Sequence, residues 1–159
     1  MMNDTRKIYI KFNKPYGVLS SFTDSENRPA LCQYIPIPDV YSVGRLDMDS
    51  EGLMFLTNDG WLNHRITSPE SHFPKTYLVQ VEGLPTAEKL ELLSSGLVIK
   101  GNHTTLPCTA KIIPDPQLPE RSKPVTPHDE THWLEMRIVE GKKRQIRHMT
   151  AAVGLPTLR

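Results

Sequence analysis

Cysteine is scarce in this chain. Cys32 and Cys108 are the only two in 159 residues, far apart and in no CxxC pair. A disulfide framework or a thiolate zinc site needs more thiols at closer spacing, so the two are read as inert thiols in a reducing compartment. Long apolar runs are also missing. No stretch approaches the ~20 apolar residues that span a bilayer. The amino-terminal MMNDTRKIYIKFNKP alternates polar and apolar residues, without the continuous apolar core of a secretory signal. A cytoplasmic protein with no membrane partner is expected. The six histidines form neither HExxH nor a cluster at ligand spacing, so no metal site is expected. An excess of one charge is lacking too: 19 Lys and Arg face 18 Asp and Glu, a net charge of +1. Spread evenly, that balance argues against a nucleic-acid partner.

What is present suits one folded unit. Hydrophobic residues make up 38% and charged residues 23% of the chain, near the average for globular proteins. A chain of this length can bury ~70% of its unfolded surface. Period-two alternation and turn residues predict strands at 8–12, 41–43, 53–57, 75–82, 109–113 and 133–139, with Asn58, Asp59 and Gly60 as a tight turn. Residues 61–66 read as a short helix. Thr86 is a candidate N-cap for a core-facing helix carrying Ala87, Leu90, Leu93 and Leu97, stopped at Gly96. Prolines at 114, 116, 119, 124 and 127 forbid regular structure and imply a surface loop. Residues 142–153 read as a last helix with Ile146, Met149 and Val153 as its apolar stripe, ended by Gly154 and Pro156. Strands outnumber helices and connections are short, so the expected class is α+β: a mixed, largely antiparallel sheet with flanking helices.

The charge is not spread evenly. Residues 39–60 hold five acids and one base, a balance of −4, whereas residues 137–159 hold six bases and one acid, a balance of +5. On the last helix Arg144, Arg147 and His148 share a face at i, i+3 and i+4, beside the apolar stripe. Such a face is either simply solvated or tracks a phosphate backbone. In the acidic segment, Gly44 and Gly52 flank Arg45-Leu46-Asp47 and allow a bent loop between two strands that presents Asp47 to a ligand. Arg45 stands two residues before Asp47, and a guanidinium close to a carboxylate favours the ionised form that a nucleophile needs. Asp49, Ser50 and Asp59 fit the commoner use of such residues as caps and turn formers.

These segments together carry a resemblance. GRLDMDSEGLMFLTNDG at 44–60, with KPYG at 14–17, KTY at 75–77 and KKRQIRHM at 142–149, resembles the catalytic domain of the RsuA-type ribosomal pseudouridine synthases, most closely their large-subunit synthase E branch. The ordered match runs from Ile8 to Arg159. The resemblance implies an isomerase that converts a uridine of ribosomal RNA, the 23S RNA for this branch, to pseudouridine, with no cofactor and as a monomer. It makes Asp47 the nucleophile and Arg45 a residue that holds the RNA with the base extruded. Tyr77 packs against the uracil ring, Lys75 is the accompanying base, Ile146 is the apolar wall of the pocket, and Arg147 pairs with the aspartate. Arg144 joins them as a phosphate contact on the basic face. Flipping a base out of its stack costs a few kcal/mol, which aromatic stacking and base-edge hydrogen bonds offset.

Two features depart from the pattern. Met48 follows Asp47 where relatives often carry a basic or polar residue. The run stops at GLPTLR, where family members continue through a further strand bordering the active site. The expectation is therefore one catalytic domain over residues 1–159, truncated at its carboxyl end and without a separate amino-terminal RNA-binding domain. Two other readings compete: a non-catalytic RNA-binding or ribosome-assembly module on the same fold, and a hydrolase using Asp47 and Asp49 as a carboxylate pair. The second lacks a sugar-binding aromatic platform nearby.

Overall fold

The computed structural model describes residues 5–159. Residues 1–4, the start of the amino-terminal stretch read above for a secretory signal, lie outside the described residues. The chain divides into two compact units, residues 5–71 with 121–123, and residues 72–120 with 124–159.

The first unit is built on strands β1 (Tyr9–Lys14), β2 (Tyr41–Val43) and β3 (Gly52–Thr57), followed by helix α1 (Gly60–Thr67). The sheet order is β1-β3-β2, antiparallel throughout, with Phe12 opposite Met54 and Val43 opposite Phe55. Alternation decides its faces. Ile10, Phe12, Met54 and Leu56 pack with Leu31, Ile35 and Val40 on one side, and Tyr9, Lys11, Leu53 and Phe55 point to solvent. The expected tight turn at 58–60 is instead a helix start. Asp59 caps α1, its carboxylate accepting from the N–H groups of Trp61 at 3.1 Å and Leu62 at 3.4 Å, which is what orphan amides at a helix N-terminus require. The Tyr9 hydroxyl donates to the same carboxylate at 2.6 Å, and that bond is the main cause holding the Asp59 carboxyl below its ordinary range.

The second unit contains β4 (Lys75–Glu82), α2 (Ala87–Ser95), β5 (Val98–Ile99), β6 (His103–Thr104), β7 (Thr109–Ile113), β8 (Thr131–Ile138) and α3 (Gln145–Ala152). Its main sheet has the order β4-β8-β7 and is again antiparallel. Val79 and Val81 of β4 and Leu134 and Met136 of β8 share a core with Leu93, Ile99, Met149 and Leu155. Each such side chain contributes about 1.5–3 kcal/mol when buried, and a one-residue slip would turn the whole set outward, so the register is strongly fixed. Residues 156–159 run along the outer edge of β4: Glu82 N–H donates to the Pro156 carbonyl at 3.0 Å and Leu158 N–H to the Gln80 carbonyl at 2.7 Å. Thr86 caps α2 as expected.

The short β5–β6 hairpin has no counterpart in the sequence reading, because two-residue strands carry too little periodicity to detect. The last helix begins at Gln145 rather than 142. Arg144 has a left-handed backbone, φ +54°, and leaves residues 142–144 as a turn. Among the described residues every strand pairing is antiparallel, and the α+β class holds.

Candidate active site

In the first unit the site grows from the end of β1. Lys14 closes that strand, and its side chain is fully buried. Its ammonium donates to the Val18 carbonyl at 2.6 Å and the Pro15 carbonyl at 3.0 Å. Burial of a charge without an ionised partner is costly, and it pushes the Lys14 pKa down to about 8, against the opposing pull of Asp49, Glu51 and Asp47. The buried cation and the acidic loop therefore feel each other electrostatically. The turn that follows Lys14 reaches that loop directly: Gly17, at φ +83°, donates its N–H to the Met48 carbonyl at 2.8 Å.

Asp47 lies in the connection between β2 and β3, which is bent at both ends by glycines with positive φ, Gly44 at +74° and Gly52 at +118°. The connection is pinned on either side of the aspartate. The Ser20 hydroxyl donates to the Leu46 carbonyl at 2.5 Å and accepts from the Leu46 N–H at 3.0 Å. Ser50 N–H donates to the Asp47 carbonyl at 3.0 Å. The backbone around Asp47 is thus fixed at residues 46, 47 and 48, and Asp47 is half-buried. Arg45 is exposed on the same connection. Tyr16, in the turn after Lys14, carries the Arg121 guanidinium 4.4 Å above its ring, a cation–π contact that holds the tip of the proline-rich segment against this turn.

In the second unit Lys75 and Tyr77 open β4 opposite Ile138 and Met136. Tyr77 and Ile146 are partly buried and pack on the same core cluster. The structure thereby brings the two apolar pocket candidates onto one support. Lys75 lies beside the turn before α3, where a Cβ on Gly141 would come 3.8 Å from its ammonium. Lys142 and Lys143 are exposed; Arg144, expected on the helical face with Arg147 and His148, is half-exposed in the left-handed turn before α3, and Arg147 is half-exposed on α3 itself. Asp47 and Arg45 belong to the first unit and the other five site candidates to the second. Sequence reasoning missed Ser20 and left Lys14 without a role, although KPYG itself was a signal for the latter. Among the described residues no group of three or more His, Cys, Asp or Glu is placed to hold a metal, and no helix is long and apolar enough to cross a membrane.

Residues 8–152 match the family model of the RNA pseudouridylate synthases. The chain belongs to that family. A Vibrio vulnificus (strain CMCP6) protein named "Ribosomal large subunit pseudouridine synthase E" is 55% identical over 156 residues, covering 97% of this chain and 66% of that protein. A protein of the same name from Xanthomonas axonopodis pv. citri (strain 306) is 50% identical over 154 residues, covering 94% of this chain and 81% of its own length. A solved structure described as "Crystal structure of pseudouridylate synthase" superposes with a TM-score of 0.78 at 30% identity, covering 96% of this chain and 60% of that one. The chain spans slightly less than two thirds of the length of the Vibrio relative. The family expected from GRLD, KPYG, KTY and KKRQIRHM is the family found, and the E-branch names agree with the branch those motifs resemble.

Proposed function

We propose that this chain is an isomerase that converts a uridine of large-subunit ribosomal RNA to pseudouridine, using Asp47 as nucleophile on a flipped-out nucleotide. The reaction breaks the bond from ribose C1′ to N1 and forms one from C1′ to C5 of the same base, with the C5 proton lost and a proton gained at N1. Atoms and electrons balance within the nucleotide, so no second substrate is consumed. The observation that carries the reading is the pinned Asp47 connection, a carboxylate on a backbone fixed at residues 46, 47 and 48 inside a stretch matched by the family model. A nucleophile must be held near its attack geometry, and preorganised backbone supplies that hold.

In this reading Tyr77 packs against the extruded uracil and Ile146 walls its pocket. Arg45, Lys75 and Arg144 bind the RNA, and Arg147 is the cation of the catalytic constellation. The chain acts as a monomer in the cytoplasm. Ribosomal RNA tritiated at uracil C5 tests the assignment. Release of label by the wild type, abolished in Asp47→Asn while RNA affinity persists, is the expected result. Release by Asp47→Asn at the wild-type rate overturns the nucleophile, and RNA binding with no release by the wild type favours a non-catalytic RNA-binding module.

A further inference from the structure

Glu140 follows β8 and precedes the most cationic stretch of the chain, yet its side chain is only 11% exposed. Its Oε1 accepts from the Leu106 N–H at 2.8 Å and from the Gln145 side-chain amide at 2.8 Å, and its Oε2 lies 2.9 Å from His103 Nε2. Burial works against the charged form, but these hydrogen bonds outweigh it and hold the Glu140 carboxyl below its ordinary range. The carboxylate is therefore a fixed acceptor. Gln145, the first residue of α3 and itself 4% exposed, passes the constraint on. Its Oε1 accepts from the Lys142 N–H at 3.1 Å, and its own N–H donates to the Lys142 carbonyl at 3.1 Å. Both backbone groups of Lys142 are thus bonded to one residue, closing a turn over 142–145.

That turn contains Arg144 in the left-handed region, a conformation that costs a non-glycine residue about 1–2 kcal/mol. It persists because the surrounding bonds over-determine it. The three residues so held are Lys142, Lys143 and Arg144. Through Leu106 and His103 the same carboxylate ties this turn to the β5–β6 hairpin and the segment that follows it.

We propose that Glu140, acting through Gln145, is a positioning residue that fixes the 142–144 turn so that its three cations meet RNA phosphates together. The proposal rests on the ribosomal-RNA reading above. Neutralised phosphates set the slope of log affinity against log salt, at roughly 0.7–0.9 per contact. Cations on a loosened turn engage fewer phosphates at once, so the slope falls as well as the affinity.

The test compares wild type, Glu140→Ala, Glu140→Gln and Gln145→Met. Gln145→Met keeps a long buried side chain and removes the side-chain bonds to the Lys142 N–H, Glu140 and Met149 Sδ, leaving the backbone bond to the Lys142 carbonyl in place. Amide exchange, read without RNA, is expected to rise about tenfold at Lys142 in Glu140→Ala and Gln145→Met. On a large-subunit ribosomal RNA transcript the same two variants are expected to bind about tenfold more weakly, with the salt slope lowered by about 1–3. Glu140→Gln, which keeps an acceptor for Leu106 and Gln145, is expected to return to within about threefold of wild type. Unchanged exchange at Lys142, or a salt slope at the wild-type value in Gln145→Met whatever the loss of stability, overturns the proposal. A wild-type chain with a protected Lys142 amide and no salt-dependent binding overturns the ribosomal-RNA reading instead.

Discussion

The Ser20 hydroxyl occupies both backbone groups of Leu46, donating to the carbonyl at 2.5 Å and accepting from the N–H at 3.0 Å. The two residues are 26 positions apart, and Ser20 is buried. One side chain thereby performs the pairing that a neighbouring strand would otherwise give to the residue just before Asp47. A serine suits the task because a single hydroxyl both donates and accepts.

Ser20→Ala leaves a backbone N–H and carbonyl of Leu46 without their side-chain partner. The expected cost is about 1–3 kcal/mol of stability. Because the loss falls beside Asp47, turnover is expected to fall further than stability accounts for, about tenfold at a temperature where the variant is fully folded. Tritium release and thermal unfolding on the same preparation check this. Full activity in a folded Ser20→Ala protein would mean that the Met48 and Ser50 contacts suffice to hold the loop.

Lys14 gives a pH signature. Its pKa is about 8 in the folded protein against an ordinary value of 10.5. Between those values the unfolded chain binds a proton that the folded chain does not, so stability conferred through this residue rises with pH from about 8 to about 10.5. Below pH 8 both states are protonated and the full burial penalty applies. The expected relief is on the order of 1–3 kcal/mol. It is measured by denaturant unfolding at pH 7 and pH 10 as the difference between wild type and Lys14→Met, and a difference independent of pH would remove Lys14 as its source.

Strong periodicity made most of the fold legible in the sequence. Strand 75–82 falls where alternation put it, with Val79 and Val81 turned into the core, and strands 41–43 and 109–113 fall at the bounds expected for them. The Thr86 cap was readable because capping is local chemistry. Gln145 was not, because nothing in KKRQIRHM distinguishes a glutamine that faces solvent from one that faces Glu140 and Lys142. The same holds for Ser20, whose partner is distant in sequence. Asp47 stood out only through its flanking glycines and the motif around it. The bonds that pin its loop are tertiary and leave no periodic trace.

Tyr77 tests the pocket. It packs on the second unit's core while remaining partly exposed, so Tyr77→Ala removes both a core contact and the proposed stacking surface. Base–aromatic stacking is worth about 1–3 kcal/mol, and turnover is expected to fall about tenfold to a hundredfold with RNA affinity much less affected. Ala110→Ser, on β7 and packed against the same core cluster, serves as a stability control. A matching loss of turnover in both variants at equal loss of stability would assign Tyr77 to the core alone.

Arg147 and Lys142 separate catalysis from phosphate binding. Both are cations of the same basic region, Arg147 on α3 and half-exposed, Lys142 exposed in the turn before it. If Arg147 is the cation of the catalytic constellation, Arg147→Ala lowers kcat by at least about tenfold, since an electrostatic contact to the reacting centre is worth more than one to a solvated phosphate. Lys142→Ala is expected to raise KM with kcat near wild type and to lower the salt slope by about 1. Single-turnover rates and KM measured at two salt concentrations distinguish the two. Equal effects on kcat from both substitutions would reduce Arg147 to another phosphate contact, and the catalytic cation would then have to be sought among Lys75 and Arg45.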